Sequence, residues 1–284
     1  MATFTAQDDS AIFDNLIKYA IAPRPICFAS TIDREGQVNL SPFSYFNLMS
    51  HNPAICVFSP LRRMRDGSTK HTLENIQEVP EVVINLVNYA IVQQQSLAST
   101  EYAKGINEFE KSGLTPIAST LVKPPRVAES PVQLECKVNQ VIPLSNLPGA
   151  GNLVLAEILC MHVQDEYLSS TNTIEQHKLD LVARLGGDWY CRVTQENLFE
   201  VPKPLRNLGI GVDQLPESIR KSSILTGNQL AMLANVERIP AVEEILPNVN
   251  CCKESDVDKI HQVAAAYLNE GKVFEAWRVL LRTV

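Results

Sequence analysis

Glycine is scarce in this chain of 284 residues: there are 12 in all, and none are arranged as G-x-G-x-x-G behind an apolar strand. The chain therefore lacks the tight turn that brings a helix start against a pyrophosphate in a doubly wound dinucleotide fold, and it lacks a Walker phosphate loop as well. A basic excess is missing too. With 25 Lys and Arg against 32 Asp and Glu the formal charge is -7. That argues against nucleic acid or an anionic membrane surface as a partner, because neutralising phosphates takes clustered cations on a basic background. No apolar run reaches the roughly 18 residues of a spanning helix. The opening MATFTAQDDSAIFDNL has neither a basic stretch nor an apolar leader core, so a soluble, cytoplasmic protein is expected.

Metal and hydrolase signatures are absent in the same way. The five histidines are scattered, without H-E-x-x-H or a partner at ligand spacing, so no metal is expected. G-x-S-x-G does not occur, which removes the usual serine nucleophile elbow. No C-x-x-C pair exists among the 7 cysteines, four of the first five of which lie in apolar runs such as PICFAS and PAICVFS. There a reduced thiol acts as a small hydrophobe. The vicinal Cys251 and Cys252 form a second possibility, a redox pair, with no activating neighbour in sequence.

What is present reads as two regions. Apolar and β-branched runs predict strands at 25–32, 37–40, 53–59, 81–87, 132–142, 152–164 and 189–193, with D-R-E-G at 33–36 as a hairpin turn. Helical spacing predicts helices at 71–79 and 91–104. Many short strands and few helices point to a closed or partly closed β-barrel rather than a doubly wound sheet. After V-P-K-P at 201–204 the remainder reads as helical: 226–236, then 257–268 opened by a capping box from Ser255, then 273–281 after Gly271. The expected domains are residues 1–202 and a helical extension, residues 203–284, packed on the barrel or a dimer interface.

Two segments carry chemistry. From Pro60 to Thr72 four cations (Arg62, Arg63, Arg65, Lys70) face the single anion Asp66. Lys70, His71 and Thr72 also fall at a predicted helix start, where free N–H groups and the macrodipole favour an anion. The segment is either a phosphate grip, with the Lys70 charge and Thr72 hydroxyl as its partners, or a solvated cationic loop. The second segment, N-L-S-P-F-S-Y-F-N at 39–47, displays amides, hydroxyls and aromatic rings at a strand end. It offers either the wall and edge contacts that a planar heterocycle needs, or core aromatics.

The order of motifs resembles that of the flavin reductase-like, FMN-binding split-barrel family. They are R-P-I-x-F-x-S-T-x-D-x-x-G-x-x-N-L-S-P-F-S-Y-F-N at 24–47, K-H-T-L-E-N-I at 70–76, V-V-I-N-L-V at 82–87, S-L-A at 96–98, F-x-x-x-G-L-T-P at 109–116 and R-L-G-G-x-W-Y at 184–190. The resemblance implies a mainly β fold with helices: a six-stranded Greek-key split barrel, dimeric, with FMN (FAD less favoured) near the dimer interface. It implies that Asn39, Ser41 and Tyr45 line the flavin, that Ser59, Lys70 and Thr72 grip its phosphate, and that Ser30 joins them. Arg62 is added from the charge count alone. Two positions depart from the family pattern, Asn152 where a His is frequent and Glu108 where a Lys is frequent.

The expected activity is an NAD(P)H-dependent flavin reductase, in which hydride passes from nicotinamide to flavin N5 with no side chain acting as catalytic acid or base. The cofactor brings the reactivity and the protein supplies position and field. The partners would be a small-molecule donor and acceptor and a second copy of the chain. The rivals are a flavoredoxin-like electron carrier and a cofactor-free split-barrel interaction protein.

Overall fold

The computed structural model describes residues 1–6, 10–204, 208–241 and 256–281. They form two compact units, Met1–Leu198 and Phe199–Val284. Cys251, Cys252 and Ser255 lie outside the described residues.

The first unit opens with helix α1 (Ser10–Ala20) and strand β1 (Arg24–Pro25), followed by β2 (Cys27–Ile32), β3 (Val38–Phe43), β4 (Phe46–His51) and β5 (Ala54–Phe58). Helix α2 (His71–Glu78), β6 (Glu81–Leu86), α3 (Val92–Leu97), α4 (Glu108–Ser112) and the short strands β7 (Pro116–Ile117) and β8 (Arg126–Val127) come next. The long strands β9 (Val132–Pro143) and β10 (Asn152–Val163), then β11 (Val182–Arg184) and β12 (Tyr190–Arg192), complete it.

Seven of these strands make one antiparallel sheet in the order β3-β2-β6-β9-β10-β5-β4. The sheet coils on itself: Phe43 of β3 and Phe58 of β5, near opposite ends of that order, stack with ring centroids 5.3 Å apart. Seven strands replace the six implied by the resemblance. The extra one is β4, in a stretch whose F-N-L-M-S-H sequence has no apolar alternation. It becomes a strand by pairing with β5, from Phe46 opposite Phe58 to His51 opposite Ala54. The strand at the 189–193 run belongs instead to a separate three-stranded sheet, β1-β11-β12.

β2 explains how the site is positioned. Its CFASTI run is buried at every position, the pattern of a strand covered on both faces. Cys27 and Ala29 enter the barrel core with Cys56, Cys136 and Ile84, so these thiols act as small apolar groups. Phe28 joins Leu40, Ile91 and Phe109 in a second cluster on the outer face, which brings α4 against β3. The D-R-E-G turn forms as read, with Gln37 N–H donating to Asp33 Oδ1 at 2.8 Å and Gly36 at φ 82°. The predicted 91–104 helix stops at Leu97. There Ser99 Oγ donates to Ser96 O at 2.6 Å, a side-chain bond that competes with helix continuation.

The R-P-I and G-G motifs meet across this unit. Arg24 donates to Lys18 O, Ile21 O and Leu185 O at 2.8, 2.7 and 3.1 Å, tying the end of α1 to the strand pair β1-β11. A Cβ at Gly186 would lie 2.4 Å from the Tyr19 ring, so a side chain there would have to displace that ring.

The second unit contains α5 (Glu217–Arg220), α6 (Gly227–Ala234), α7 (Val257–Asn269) and α8 (Val273–Leu280). It has its own core of Ile219, Leu233, Ala264, Leu268, Trp277 and Leu280. Thr226 and Gln229 cap α6 reciprocally. The cap of α7 is Asp256, whose side chain accepts from Asp258 N–H. Gly271, at φ 73°, turns the chain between α7 and α8.

Candidate functional site

Helix α2 starts without a side-chain cap: Lys70 sits at its N-cap in an extended conformation, and both Leu73 N–H and Glu74 N–H fall back on Lys70 O. The first two N–H groups of an α-helix have no intrahelical acceptor, so this end presents donors together with the Lys70 charge. It opens on a cleft of about 30 Å³ whose lining includes Asn39, Ser41, Arg63, Lys70, His71 and Glu108. A volume of that size suits a small anionic group rather than a ring system.

One buried chain of hydrogen bonds fixes the cleft floor. Thr72 Oγ1 donates to Asn39 Oδ1 at 2.7 Å, and Asn39 Nδ2 donates to Glu108 Oε1 at 2.8 Å. The other oxygen of Glu108 accepts from Leu40 N–H at 2.9 Å. Three elements, α2, β3 and α4, are thereby locked together. α4 begins where it does because Asn107 caps it, its side chain accepting from Phe109 N–H. The Glu108 departure from the family pattern is thus a buried carboxylate supporting β3.

The charges respond to this enclosure. Burial raises the Glu108 carboxyl above its ordinary range, against the opposing pull of its Leu40 and Asn39 donors. Burial lowers Lys70, with Glu101 opposing and Arg63 reinforcing the shift. It also lowers His71, where Glu74 opposes and Arg63 and Lys104 reinforce. Arg63 is itself held by Thr69 O, by Ser68 Oγ at 3.1 Å and by Glu101 at 3.5 Å. The Lys70 ammonium lies 5.6 Å from the centre of the Phe43 ring.

The eight residues expected to hold the flavin divide into groups. Asn39, Ser41 and Lys70 line the cleft, and Thr72 is joined to it through Asn39 but fully buried, its hydroxyl already donated. Tyr45 and Ser59 are neighbours, Ser59 N–H donating to Tyr45 O at 2.9 Å, and the Tyr45 ring faces Arg24 at 5.7 Å. Arg62 is not among the cleft-lining residues. It donates to Gly67 O and Asn146 Oδ1 at 3.0 and 3.2 Å, and of the two adjacent arginines it is Arg63 that lines the cleft. Ser30 is fully buried in β2, and its hydroxyl has no partner among the described residues. Asn152, the second departure, donates to Pro60 O from both its backbone N–H and its side chain, anchoring β10 to the cationic segment. Arg63, His71 and Glu108 also line the cleft, though the sequence marks them only as a loop cation, a helix start and a family departure and not as binding residues. The charge count signalled the first, but nothing local separates it from Arg62.

Known proteins share this architecture. The flavin reductase like domain family matches residues 19–176. An uncharacterized protein of Aquifex aeolicus is 32% identical over 190 residues, covering 67% of this chain and 94% of its own. Nitrilotriacetate monooxygenase component B from Bacillus cereus is similar at TM-score 0.65 and 26% identity, over 71% of this chain and 98% of that one. The 2-nitrobenzoate 2-nitroreductase of Pseudomonas fluorescens gives 0.64 and 28%, over 74% and 100%. A candidate flavin reductase with split barrel domain from Shewanella frigidimarina gives 0.61 and 27%, over 72% and 100%. The coiled seven-stranded sheet is a split barrel of this kind. Among the described residues no helix is long and apolar enough to cross a membrane.

Proposed function

The chain belongs to the flavin reductase-like family, and from that premise we propose that it is an FMN-dependent NAD(P)H:flavin oxidoreductase. One observation carries the assignment to this site: the uncapped start of α2 brings Lys70 and His71 into a single cleft with Arg63, Asn39 and Ser41. That donor set fits a phosphate. It combines Lys70, Arg63, an imidazole and the uncapped helix start, with the Glu101 carboxylate paired to Arg63 and that of Glu108 turned to Asn39 and Leu40, in a space too small for the ring system.

In this reading Lys70, Arg63 and the α2 N–H groups bind the phosphate, and Ser41 orients it. The 39–47 segment would hold the flavin ring, with Tyr45 and its neighbour Ser59 as further contacts. Flavin bound here would supply the redox chemistry as a hydride acceptor for reduced nicotinamide. The chain contributes orientation and a positive field at the phosphate end, and no side chain acts as acid or base in that transfer. Glu108 keeps Asn39 in place and thereby the β3 wall. The binding residues all belong to the first unit. A cytoplasmic homodimer completes the proposal, with β4 at the sheet edge and its exposed Leu48 and Met49 as a surface for a second copy.

Anaerobic stopped-flow mixing of FMN-loaded protein with NADH and with NADPH tests the assignment. Bleaching of the flavin absorbance by at least one of them is expected. Bound FMN that neither nucleotide reduces overturns the reductase reading in favour of an electron carrier, and a protein that takes up no FMN overturns the flavoprotein reading altogether.

A further inference from the structure

Away from the cleft, β9 and β10 bring together three side chains that the proposed redox function does not use: Glu135, Cys160 and His162, whose ligand atoms all lie within 4.8 Å of one another. A register shift creates the group. Ala156 packs in the barrel core and Ile158 against it, so strict alternation would point Cys160 inward as well. The irregularity between Ile158 and Cys160 moves the pairing by one residue, leaving Ile158 opposite Cys136 and Cys160 opposite Glu135. A bulge re-aims side chains in this way. Cys160 and, two residues on, His162 thus share the outer face with Glu135.

The contacts are convergent rather than serial. His162 Nε2 lies 2.7 Å from Glu135 Oε1 and 3.5 Å from Cys160 Sγ. A nucleophile relay places its nucleophile and its orienting acid on the two different nitrogens of the imidazole base, whereas here Cys160 and Glu135 meet the same one. Three donor atoms this close together are instead what a metal site requires, and thiolate, imidazole and carboxylate together form a zinc-type set. Glu135 is fully buried and held by Thr120 N–H at 2.7 Å, Leu121 N–H at 2.5 Å and Val122 N–H at 3.2 Å. Those donors fix the carboxylate as outer-sphere partners fix a ligand. Arg126 Nε stands 3.9 Å from the same carboxylate and is bonded to Ala118 O at 3.1 Å. A thiolate and a carboxylate still leave one surplus negative charge beside it. An open depression lined by Arg126, Gln133, Met161 and Gln164 reaches the group at His162, the one of the three that lines it.

We propose that Glu135, Cys160 and His162 bind a divalent transition metal of the zinc class, leaving a fourth position open to water. Binding displaces the proton from Cys160 and the one His162 Nε2 shares with Glu135. The sequence shows only C-x-H, because Glu135 lies 25 positions before Cys160 and reaches the site through strand pairing alone.

Cobalt(II) titration of the metal-free full-length protein tests this. A stoichiometric thiolate-to-cobalt charge-transfer band is expected in the near ultraviolet, bleached by added zinc. Because Cys251 and Cys252 are vicinal thiols, the titration is repeated on the Cys251→Ser/Cys252→Ser variant, where the band must persist. Cys160→Ser should abolish it, and His162→Gln should weaken cobalt binding by at least about 10-fold. Absence of the band in the wild-type protein, its loss with Cys251 and Cys252, or its survival in Cys160→Ser overturns the proposal. Glu135 is left unaltered, since it also holds the 120–122 backbone.

Discussion

Replacing Asn39 by Ala removes the central link between Thr72 and Glu108, and the cost can be worked from the two bonds it makes. The Thr72 hydroxyl is fully buried, so without Asn39 Oδ1 it becomes an unsatisfied buried donor at about 1–3 kcal/mol. Glu108 loses one of two donors to a carboxylate that is itself buried, a bond to a charged group worth about 1.5–3 kcal/mol. Asn39→Ala should therefore lose about 2.5–6 kcal/mol, a large part of the roughly 5–15 kcal/mol that holds a domain together. Thr72→Val alone should lose about 1–3 kcal/mol, because it strands Asn39 Oδ1. The decisive comparison is the double variant. With Asn39 already gone, removing the Thr72 hydroxyl takes away an unsatisfied group, so the second change should be nearly free and the sum of single losses should exceed the double loss by about 1–3 kcal/mol, the cost of Thr72→Val alone. Urea unfolding followed by the circular dichroism of the strands measures all three variants. Losses that add within about 0.5 kcal/mol would show that the two bonds do not act as one unit.

Two further predictions concern the anion cleft. Lys70→Ala should weaken FMN by about 1–3 kcal/mol in equilibrium dialysis while leaving riboflavin affinity unchanged, whereas Arg62→Ala should alter neither, because its guanidinium is engaged with Gly67 and Asn146; equal losses for FMN and riboflavin would place the phosphate elsewhere. The pH dependence turns on His71, held below its ordinary value in the free protein by burial, Arg63 and Lys104, with Glu74 opposing. A bound phosphate raises it, so binding takes up a proton and affinity increases as pH falls through the bound-state value. Calorimetry in two buffers of different ionisation enthalpy should detect that uptake in the wild type and find it reduced in His71→Asn. Identical uptake in both would remove His71 from the site.

Strands were legible wherever a buried run of β-branched and apolar residues specified them, as in CFASTI and EVVINL. β4 was not, since four of its six residues are exposed and its partner β5 defines it. The same distinction governs the site. Asn39, Ser41 and Lys70 could be read because each sits in a short motif whose local geometry, a strand end or a helix start, delivers it to the cleft. The choice between Arg62 and Arg63 could not, because adjacent residues in an irregular loop point differently according to turns such as Gly67 at φ 69° and the Asp66–Ser68 bonds. Glu108 shows the boundary between the two cases. Its departure from the family pattern is visible in the sequence only as a change of charge. Its contacts give a different physical meaning: the carboxylate faces Asn39 and Leu40, 69 and 68 positions away, and burial pushes it toward the protonated form. A lysine in that place has no acceptor role to play toward the Asn39 amide or the Leu40 N–H. The exchange of Lys for Glu therefore alters how β3 is held against α4, and with it the position of Asn39 and Ser41, before it alters any charge felt at the phosphate.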